Sequence, residues 1–417
     1  MNSNKKILLL ISMGSILEYY DFAIFIYLAP IIGKALIPVH NSIANLILSY
    51  AIFAIGAVFR PLGGLLFAHI GDTRGRRHSF VYTILLMAVP TFLIAFIPNA
   101  SSIGIFATLL LVILRLIQGL ALGGEIPGSI VFGYEVSTPK YKALNSSIII
   151  MGTNFGFFLA SIVCTYLIAN TKFSFESWRL AFIIGGLFGF ISYFLRKSLY
   201  ETSAFKLYLQ LCEEKSVPYK VLFKKYSSNV IQLLGIGCFL AAILAIYTFF
   251  MPVYLSEFYG FPLTTLMKYN SCNIVLFVIG SLVAGIFDKY FGKVFFIWSI
   301  SGLVLVTSIL FTMYDKLSLL QILMIHSCIL IFIGIMCGRI PVLCATFFPV
   351  EVRYTGVAVI YNISFGIIAG FSQMILTWLI NLTGLLWIPA LYLLVFALFA
   401  LGTITKIHND KLINYID

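Results

Sequence analysis

Twelve long apolar stretches separated by short polar loops constrain what this 417-residue chain can fold into. A helix needs roughly 20 mostly apolar residues to cross a bilayer. The stretches fall at about 7–32, 43–68, 79–98, 103–134, 144–169, 178–196, 229–254, 269–288, 294–313, 319–345, 355–381 and 385–405. They predict an all-α membrane protein with twelve transmembrane helices and both termini on one side of the bilayer.

The composition excludes a water-soluble protein. Hydrophobic residues make up 61% of the chain and charged residues 10%, whereas a soluble domain carries about a quarter charged residues. The net charge of +12 lies in short loops between apolar stretches rather than on one helix face. Because a nucleic-acid-binding protein clusters its basic residues on one face or arm, we expect no nucleic-acid partner.

The lysines and arginines also predict the orientation. Of the 27, 19 fall on the side of the predicted termini, five on the other side, and Arg60, Arg115 and Arg339 inside spans. Positive residues accumulate in cytoplasmic loops. We therefore expect a multi-pass protein of the cytoplasmic (inner) membrane with its N- and C-termini in the cytoplasm.

The longest polar stretch divides the spans into two sets of six. It predicts an N-terminal six-helix bundle at 1–196, a cytoplasmic linker at 197–228 and a C-terminal six-helix bundle at 229–417. The loop after the eighth span, with Asp288 and Gly292, weakly repeats the loop after the second. Parallel repeats of this kind occur in transporters that bind substrate between their halves near the middle of the membrane.

Ionisable residues inside spans are costly and point to function. In the first span, Glu18 and Asp21 lie on one helix face, at i and i+3. Two carboxylates so close in a medium of low dielectric repel each other, which favours protonation of one of them. This pattern is typical of a proton carrier, and the alternative is a structural ion pair.

The fourth span supplies a counter-charge. Arg115, Gln118 and Glu125 fall within an arc of about 80° on its surface, and Gly119 and Gly123 form a small-xxx-small edge suited to close helix contact. An arginine four residues before such an edge, with a glutamine and a glutamate beside it, predicts a polar site facing the interior of the bundle.

The loop after the second span carries Gly71, Asp72, Gly75, Arg76 and Arg77. This pattern resembles the loop between the second and third helices of the major facilitator superfamily. The resemblance implies the major facilitator fold, with two six-helix bundles, and a gating role for this loop and for Asp288 and Gly292.

Four motifs narrow the resemblance to the metabolite:proton symporter family. They are Leu17-Glu-Tyr-Tyr-Asp-Phe22, Arg60-Pro-Leu-Gly-Gly64, Arg115-Leu-Ile-Gln-Gly-Leu-Ala-Leu-Gly-Gly-Glu125 and Phe348-Pro-Val-Glu-Val-Arg-Tyr-Thr-Gly356. That family includes carriers of proline and betaine, α-ketoglutarate, citrate and shikimate, and the stretch 352–364 resembles the proline/betaine branch. The resemblance implies proton coupling by Asp21 and Arg115, with Glu18 beside them. Thr346 stands where many relatives have an acid, which leaves a gating ion pair there without its acid.

The resemblance implies symport of a small zwitterion, proline or betaine, with a proton; the alternative is a dicarboxylate:proton symporter. Aromatic rings can hold an ammonium group while Arg115 or Arg339 binds the carboxylate, although aromatic stripes more often pack or face lipid. The predicted substrate-binding residues are Arg115, Gln118, Glu125, Tyr20, Asn154, Tyr247, Arg339, Tyr361 and Asn362.

The sequence has no H-E-x-x-H or aspartate-rich metal motif and no G-x-x-x-x-G-K-[ST] phosphate-binding loop. We therefore expect no enzyme activity, no cofactor and no bound metal. The expected partners are a small-molecule substrate, protons and the lipid bilayer.

Overall fold

The computed structural model describes residues 3–74, 76–169, 175–197 and 218–407, and their regular structure is entirely helical. Twelve long helices follow one another in this part of the chain. They are α1 (Ser3–Leu36), α2 (Ser42–Arg74), α3 (Arg76–Ile94), α4 (Ile105–Val136), α5 (Lys142–Ala169), α6 (Trp178–Lys197), α7 (Ser227–Tyr259), α8 (Leu263–Ile286), α9 (Lys293–Met313), α10 (Leu319–Thr346), α11 (350–383) and α12 (Ile388–Ile404). Two short helices, Ala100–Ile103 and Pro218–Lys225, lie in connections.

Each predicted apolar stretch overlaps one of these helices. Within the described residues, eight helices are long and apolar enough to cross a membrane, and α1 makes a ninth if the two sides of its bend form one span. Shorter apolar helices, Tyr82–Ile94, Trp178–Phe194 and Ile388–Ile404, lie in α3, α6 and α12. The prediction of an all-α, multi-pass membrane protein is confirmed.

The same packing pattern occurs in α1–α6 (the first half) and in α7–α12 (the second half). In the first half, α1 packs on α5, α2 on α4, and α3 on α6. The corresponding pairs of the second half, α7 with α11, α8 with α10, and α9 with α12, also pack together. The halves meet mainly through α5 with α8 and α2 with α11. This correspondence fits a parallel repeat of six helices.

The contact between α2 and α4 depends on glycine. A side chain at Gly119 would collide with the carbonyl oxygen of Gly56, and one at Gly123 with the carbonyl oxygen of Arg60. Small residues let two helix backbones approach closely in a membrane. The close approach brings Arg60 of α2 and Arg115 of α4 to the lining of one cavity.

Three helices depart from regular α geometry. The parts of α1 at Tyr19–Tyr27 and Ala29–Leu36 meet at a 70° bend, beside Pro30, which cannot donate a helix hydrogen bond. Helix α7 contains a π-helical segment at Ala245–Phe250, and α11 contains one at Asn362–Ile368. Wide π turns are rare and are frequently found at functional sites.

Candidate functional site

A buried ion pair joins α1 to α4. Arg115 Nη1 lies 3.5 Å from Asp21 Oδ2, and the two residues are only 4% and 3% exposed. The guanidinium also lies over the Phe25 ring, with Cζ 3.8 Å from the ring centroid. An unpaired charge inside a membrane span is energetically costly, so each residue of this pair stabilises the charged form of the other.

The Asp21 carboxylate accepts two further hydrogen bonds. Thr91 of α3 donates to Oδ1 at 2.8 Å, and Gln118 of α4 donates to Oδ2 at 3.0 Å. Gln118 Nε2 also lies 2.8 Å from Thr91 Oγ1. Thus α1, α3 and α4 contribute to one polar cluster, made of Asp21, Thr91, Arg115 and Gln118, which is called the acid cluster below.

The Thr91 hydroxyl can serve both protonation states of Asp21. It lies 2.8 Å from the carboxylate and also 2.8 Å from the Met87 carbonyl oxygen, and a hydroxyl has one proton to donate. When Asp21 is ionised, Thr91 donates to it. When Asp21 is protonated, the carboxyl can donate to Thr91, which then donates to Met87.

Three polar atoms of the acid cluster have no hydrogen-bond partner among the described residues. They are Arg115 Nε, Arg115 Nη2 and Gln118 Oε1, and all are buried. A buried polar atom without a partner destabilises a structure by about 1–3 kcal/mol. Arg115 and Gln118 both line a cavity, which can hold a polar partner for these atoms.

Two small cavities lie beside the acid cluster, and Phe22 and Arg60 line both. The first, called the acid-side cavity, also has Arg115 and Gln118 in its wall. The second, called the inter-half cavity, is enclosed by residues of both halves, among them Phe157 of α5 and Phe249 of α7. Each has a volume of about 20 Å³, which is room for about one water molecule.

Contacts between the halves occur toward the end of the bundle where α2 ends and α3 begins, called the basic end. Arg353 of α11 pairs with Glu135 of α4 at 3.1 Å. Tyr354 donates to the Gly124 carbonyl at 2.9 Å, and Asn362 donates to the Gly123 carbonyl at 3.0 Å. Glu135 thus supplies, from the opposite half, the acid that the sequence lacks at Thr346.

Other contacts join the halves toward the opposite end. Asn270 of α8 donates to the Tyr27 hydroxyl at 2.9 Å, and that hydroxyl donates to the Thr248 carbonyl at 3.3 Å. Ser161 of α5 donates to the Met267 carbonyl at 3.2 Å. Among the described residues, contacts between the halves therefore occur toward both ends of the bundle.

Arg339, predicted to bind a carboxylate, has another partner. Its Nε donates to Asp288 Oδ1 at 2.8 Å near the basic end, and the residue is 1% exposed. Arg339-Ile-Pro in α10 corresponds to Glu125-Ile-Pro in α4. Glu125 accepts a hydrogen bond from Thr83 at 2.8 Å. It lies ten residues after Arg115 in α4, which places it about 15 Å from Arg115 along the helix axis. Neither residue lines the two cavities.

The other predicted substrate-binding residues also contact groups outside the acid cluster. Tyr20 donates to the Ala181 carbonyl, and Asn154 to the Ile150 carbonyl of its own helix. The Tyr247 hydroxyl lies 2.9 Å from Thr307 Oγ1 in α9. The Tyr361 ring stacks on Phe365, with centroids 5.1 Å apart, while Asn362 joins the contact between the halves. Of the predicted residues, the structure brings together Asp21, Arg115 and Gln118.

Part of the predicted gating loop lies outside the described residues. Gly71 and Asp72 belong to the last turn of α2, and Arg76 and Arg77 begin α3. Gly75 and the side chains of this loop lie outside the described residues, as does the side chain of Glu18. Gly292 directly precedes α9, four residues after Asp288. The gating role of these residues and the proton role of Glu18 stay predictions.

Sequence reasoning missed three features of this site. Arg60 was recognised as an arginine inside a span, which signals function, but no role was assigned to it. Thr91 gave no signal, because a hydroxyl in a span usually bonds its own helix. The rings of Phe22 and Phe249 could not be told from the many other aromatic residues of the chain.

The protein has two corresponding sets of six helices, and a buried acid–base pair lies inside the first set. These features define its class as a multi-pass membrane transporter. The chain belongs to the Major Facilitator Superfamily, whose family model matches residues 11–372. This result confirms the predicted fold and family and the expectation that the protein is a transporter rather than an enzyme.

Curated relatives align over nearly the whole chain. The putative proline/betaine transporter of Staphylococcus haemolyticus (strain JCSC1435) is 27% identical over 414 residues, covering 97% of this chain and 87% of the relative. The proline/betaine transporter of Escherichia coli (strain K12) is 28% identical over 424 residues, covering 96% and 82%.

Solved structures share the fold. The proton:xylose symporter XylE bound to 6-bromo-6-deoxy-D-glucose superposes with a TM-score of 0.77 at 16% identity, covering 95% of this chain and 94% of that one. The partially occluded inward open form of XylE from E. coli gives a TM-score of 0.71 at 16% identity, covering 96% and 97%.

Proposed function

We propose that the protein imports a small zwitterion, proline or betaine, together with a proton. The observation that carries this proposal is the buried pair of Asp21 and Arg115 beside the acid-side cavity, which shares Phe22 and Arg60 with the inter-half cavity. The names of the relatives support the substrate class. A dicarboxylate:proton symporter is the second candidate, because two arginines, Arg60 and Arg115, line the acid-side cavity.

The predicted orientation places both termini and the basic end in the cytoplasm of a bacterial cell, with the protein in the inner membrane. In this orientation Asp21 receives its proton when the halves open to the outside. The domain prediction gives two rigid bundles, 1–196 and 229–417, joined by the linker at 197–228. These bundles rock about the inter-half cavity to expose it to either side.

Protonation of Asp21 changes what holds Arg115. The neutral carboxyl no longer balances the guanidinium, so Arg115 is free to use its unpartnered nitrogens toward the acid-side cavity. Loss of the proton to the cytoplasm restores the ion pair. A conformational change that depends on the state of this pair couples the proton to the substrate.

Uptake into proteoliposomes tests the function. We expect labelled proline or betaine to accumulate only when the outside is more acidic than the inside. Unlabelled betaine should compete with labelled proline, and α-ketoglutarate should not. Accumulation without a pH gradient would contradict proton coupling, and competition by α-ketoglutarate alone would favour the second candidate.

Thr91→Val should shift the pH dependence of uptake, because valine keeps the shape of threonine and lacks its hydroxyl. Ionised Asp21 would lose a charge-assisted hydrogen bond of about 1.5–3 kcal/mol, and protonated Asp21 would lose a neutral one of about 0.5–1.5 kcal/mol. The ionised form loses about 1–1.5 kcal/mol more, so the alkaline limb of uptake should move up by about one pH unit. Initial uptake rates across a pH series measure the shift. Thr91→Ser, which keeps the hydroxyl, is the control; an equal shift in both variants would contradict the assignment.

A further inference from the structure

The short helix Pro218–Lys225, called the pre-α7 helix, lies at the basic end of the second half. Its proline stands at the first helical position, where a missing N–H group costs no hydrogen bond. Only Tyr226 separates this helix from Ser227, where α7 begins. The Tyr226 amide donates to the Leu222 carbonyl, and the Tyr226 carbonyl accepts from the Val230 amide. The pre-α7 helix is therefore held by hydrogen bonds at the end of a membrane span.

One side of the pre-α7 helix is covered by the second half. Leu222 is fully buried in the core of that half, and Val221 packs against the same core. The contacts of the helix are mainly with the first part of α11. This packing fixes the rotation of the pre-α7 helix about its own axis, and hence the residues on its outer side.

The outer side combines aromatic rings with lysines. Tyr219 and Phe223, one helical turn apart, are 45% and 53% exposed. Lys220 and Lys224, also one turn apart, are exposed beside them. At 100° per residue these four side chains fall within an arc of about 140°. Exposed aromatic residues next to lysines are typical of a helix that lies in the interface of a membrane.

The stability of the helix itself does not account for these lysines. Cations stabilise the last turn of a helix and destabilise the first, because the backbone dipoles leave positive charge at the N-terminus. Lys224 and Lys225 are in the last turn, but Lys220 is the third helical residue. Like charges four residues apart, such as those of Lys220 and Lys224, also repel each other. An anion bound at the outer side would offset both of these unfavourable effects.

Further positive charge lies at the same end of the second half. The end of α12 is beside the start of α7, since Gln232 donates to the Lys406 carbonyl at 3.4 Å, and Lys406 is exposed. The stretch 218–232 contains no aspartate or glutamate. Lysines clustered directly beside a membrane span are attracted to the anionic lipids of the adjacent leaflet.

We propose that the outer side of the pre-α7 helix binds anionic phospholipid headgroups of the leaflet at the basic end. Lys220 and Lys224 bind the lipid phosphates, and the rings of Tyr219 and Phe223 enter the boundary between headgroups and acyl chains. An acidic soluble protein would also match the lysines, but this surface lies one residue from a span, so a bilayer is always within its reach. The exposed rings favour the lipid further, because they leave water when they enter that boundary.

Lipid binding to the full-length protein tests this proposal without any measurement of transport. The purified protein in detergent is titrated with phosphatidylglycerol or with phosphatidylcholine of the same acyl chains, and native mass spectrometry counts the bound lipids. We expect the first phosphatidylglycerol to bind at least about tenfold more tightly than phosphatidylcholine. Excess inorganic phosphate should not displace it, because the free ion has no acyl chain to hold it at the rings.

A triple variant, Lys220→Gln/Lys224→Gln/Lys225→Gln, removes the charge and keeps Leu222 as the anchor of the helix. It should weaken the binding of phosphatidylglycerol by about 10- to 100-fold and leave that of phosphatidylcholine unchanged. The matched control makes the same change of net charge at the opposite end of the bundle and should stay within about twofold of the wild type. It replaces three exposed lysines, as Lys34→Gln/Lys268→Gln/Lys316→Gln.

Hydrogen–deuterium exchange in nanodiscs shows where the lipid binds. The amides of the pre-α7 helix should exchange about three- to tenfold more slowly in nanodiscs with equal parts of phosphatidylglycerol and phosphatidylcholine than in phosphatidylcholine alone. The triple lysine variant should lose this difference. Tyr219→Ser/Phe223→Ser, which keeps the lysines, should retain a preference for phosphatidylglycerol and bind it about three- to tenfold more weakly than the wild type.

Equal affinity of the wild type for the two lipids would overturn the proposal, as would an equal loss in the triple lysine variant and its control. Displacement of phosphatidylglycerol by inorganic phosphate would overturn it in favour of a simple ion site. Unchanged exchange of the pre-α7 helix between the two nanodiscs would place the anionic lipid elsewhere on the protein. Because no step depends on transport, lipid binding as expected beside failed uptake would contradict the proposed function and support this site.

Discussion

Asp21→Asn is expected to abolish accumulation of substrate against its gradient and to leave exchange of substrate intact. Asparagine keeps the shape and can still accept a hydrogen bond from Thr91 at Oδ1, but its NH2 group cannot accept from Gln118, and it cannot bind or release a proton. Arg115 loses its counter-charge permanently, as it does in the protonated state of the wild type. The internal-to-external ratio of labelled proline or betaine should therefore fall to about one at every pH gradient. The measurement is the steady-state accumulation ratio in proteoliposomes, beside counterflow in the same preparation.

Counterflow is the internal control, because it shows that the variant folds, binds and alternates between its two states. Glu176→Gln changes a carboxylate outside the acid cluster whose side chain is 46% exposed, and this control should retain accumulation in a pH gradient. Uphill accumulation by Asp21→Asn would contradict the role of Asp21. Loss of both accumulation and counterflow would indicate that Asp21 has a structural role. A buried ion pair that takes no part in proton transfer would give this result.

Arg339→Leu is expected to destabilise the protein strongly. Arg339 pairs with Asp288 at 2.8 Å, and the two side chains are 1% and 10% exposed. Removal of one partner leaves a buried charge uncompensated, which lowers the free energy of unfolding by about 3–5 kcal/mol. The double variant Asp288→Leu/Arg339→Leu removes both charges and should recover most of this loss. Thermal unfolding of the purified protein in detergent measures both effects.

The pair of Arg353 and Glu135 provides the comparison, because its side chains are 15% and 27% exposed. Removal of a partly solvated partner should cost about 1 kcal/mol or less, so Glu135→Gln should unfold close to the wild type. If Arg339→Leu were as stable as Glu135→Gln, or the double variant as unstable as the single one, the pairing in the structure would be wrong. Betaine exchange by the double variant would show that Arg339 does not bind the substrate.

The sequence predicted the features that depend on short-range rules. The bilayer thickness fixes the length of an apolar stretch, so the spans were found, although α3, α6 and α12 are shorter than the rest. The close contact of α2 and α4 follows from Gly119 and Gly123, since small residues four apart form one edge. Asp21 and Arg115 were paired through the family resemblance, and the structure places them 3.5 Å apart.

The residues that line the two cavities could not be predicted from periodicity. Each cavity is lined by several helices, and the rotation of one helix against another is set by packing. In α7 and α11, the π segments add a residue to a turn, which rotates the following residues by about 100° relative to a regular helix. Tyr247 contacts Thr307 in α9, whereas Phe249, two residues later, faces the cavity. The partner of Arg339 was missed because Asp288 lies beyond the end of its helix.

The most direct test of the account is the flux of protons that accompanies substrate. Proteoliposomes that contain a pH-sensitive dye and no imposed pH gradient are given betaine or proline from outside, and the internal pH is followed. We predict that substrate entry acidifies the interior of wild-type liposomes and that Asp21→Asn liposomes take up substrate with no change of internal pH. Acidification by the variant equal to that of the wild type, or substrate entry without acidification in the wild type, would contradict a proton carried by Asp21.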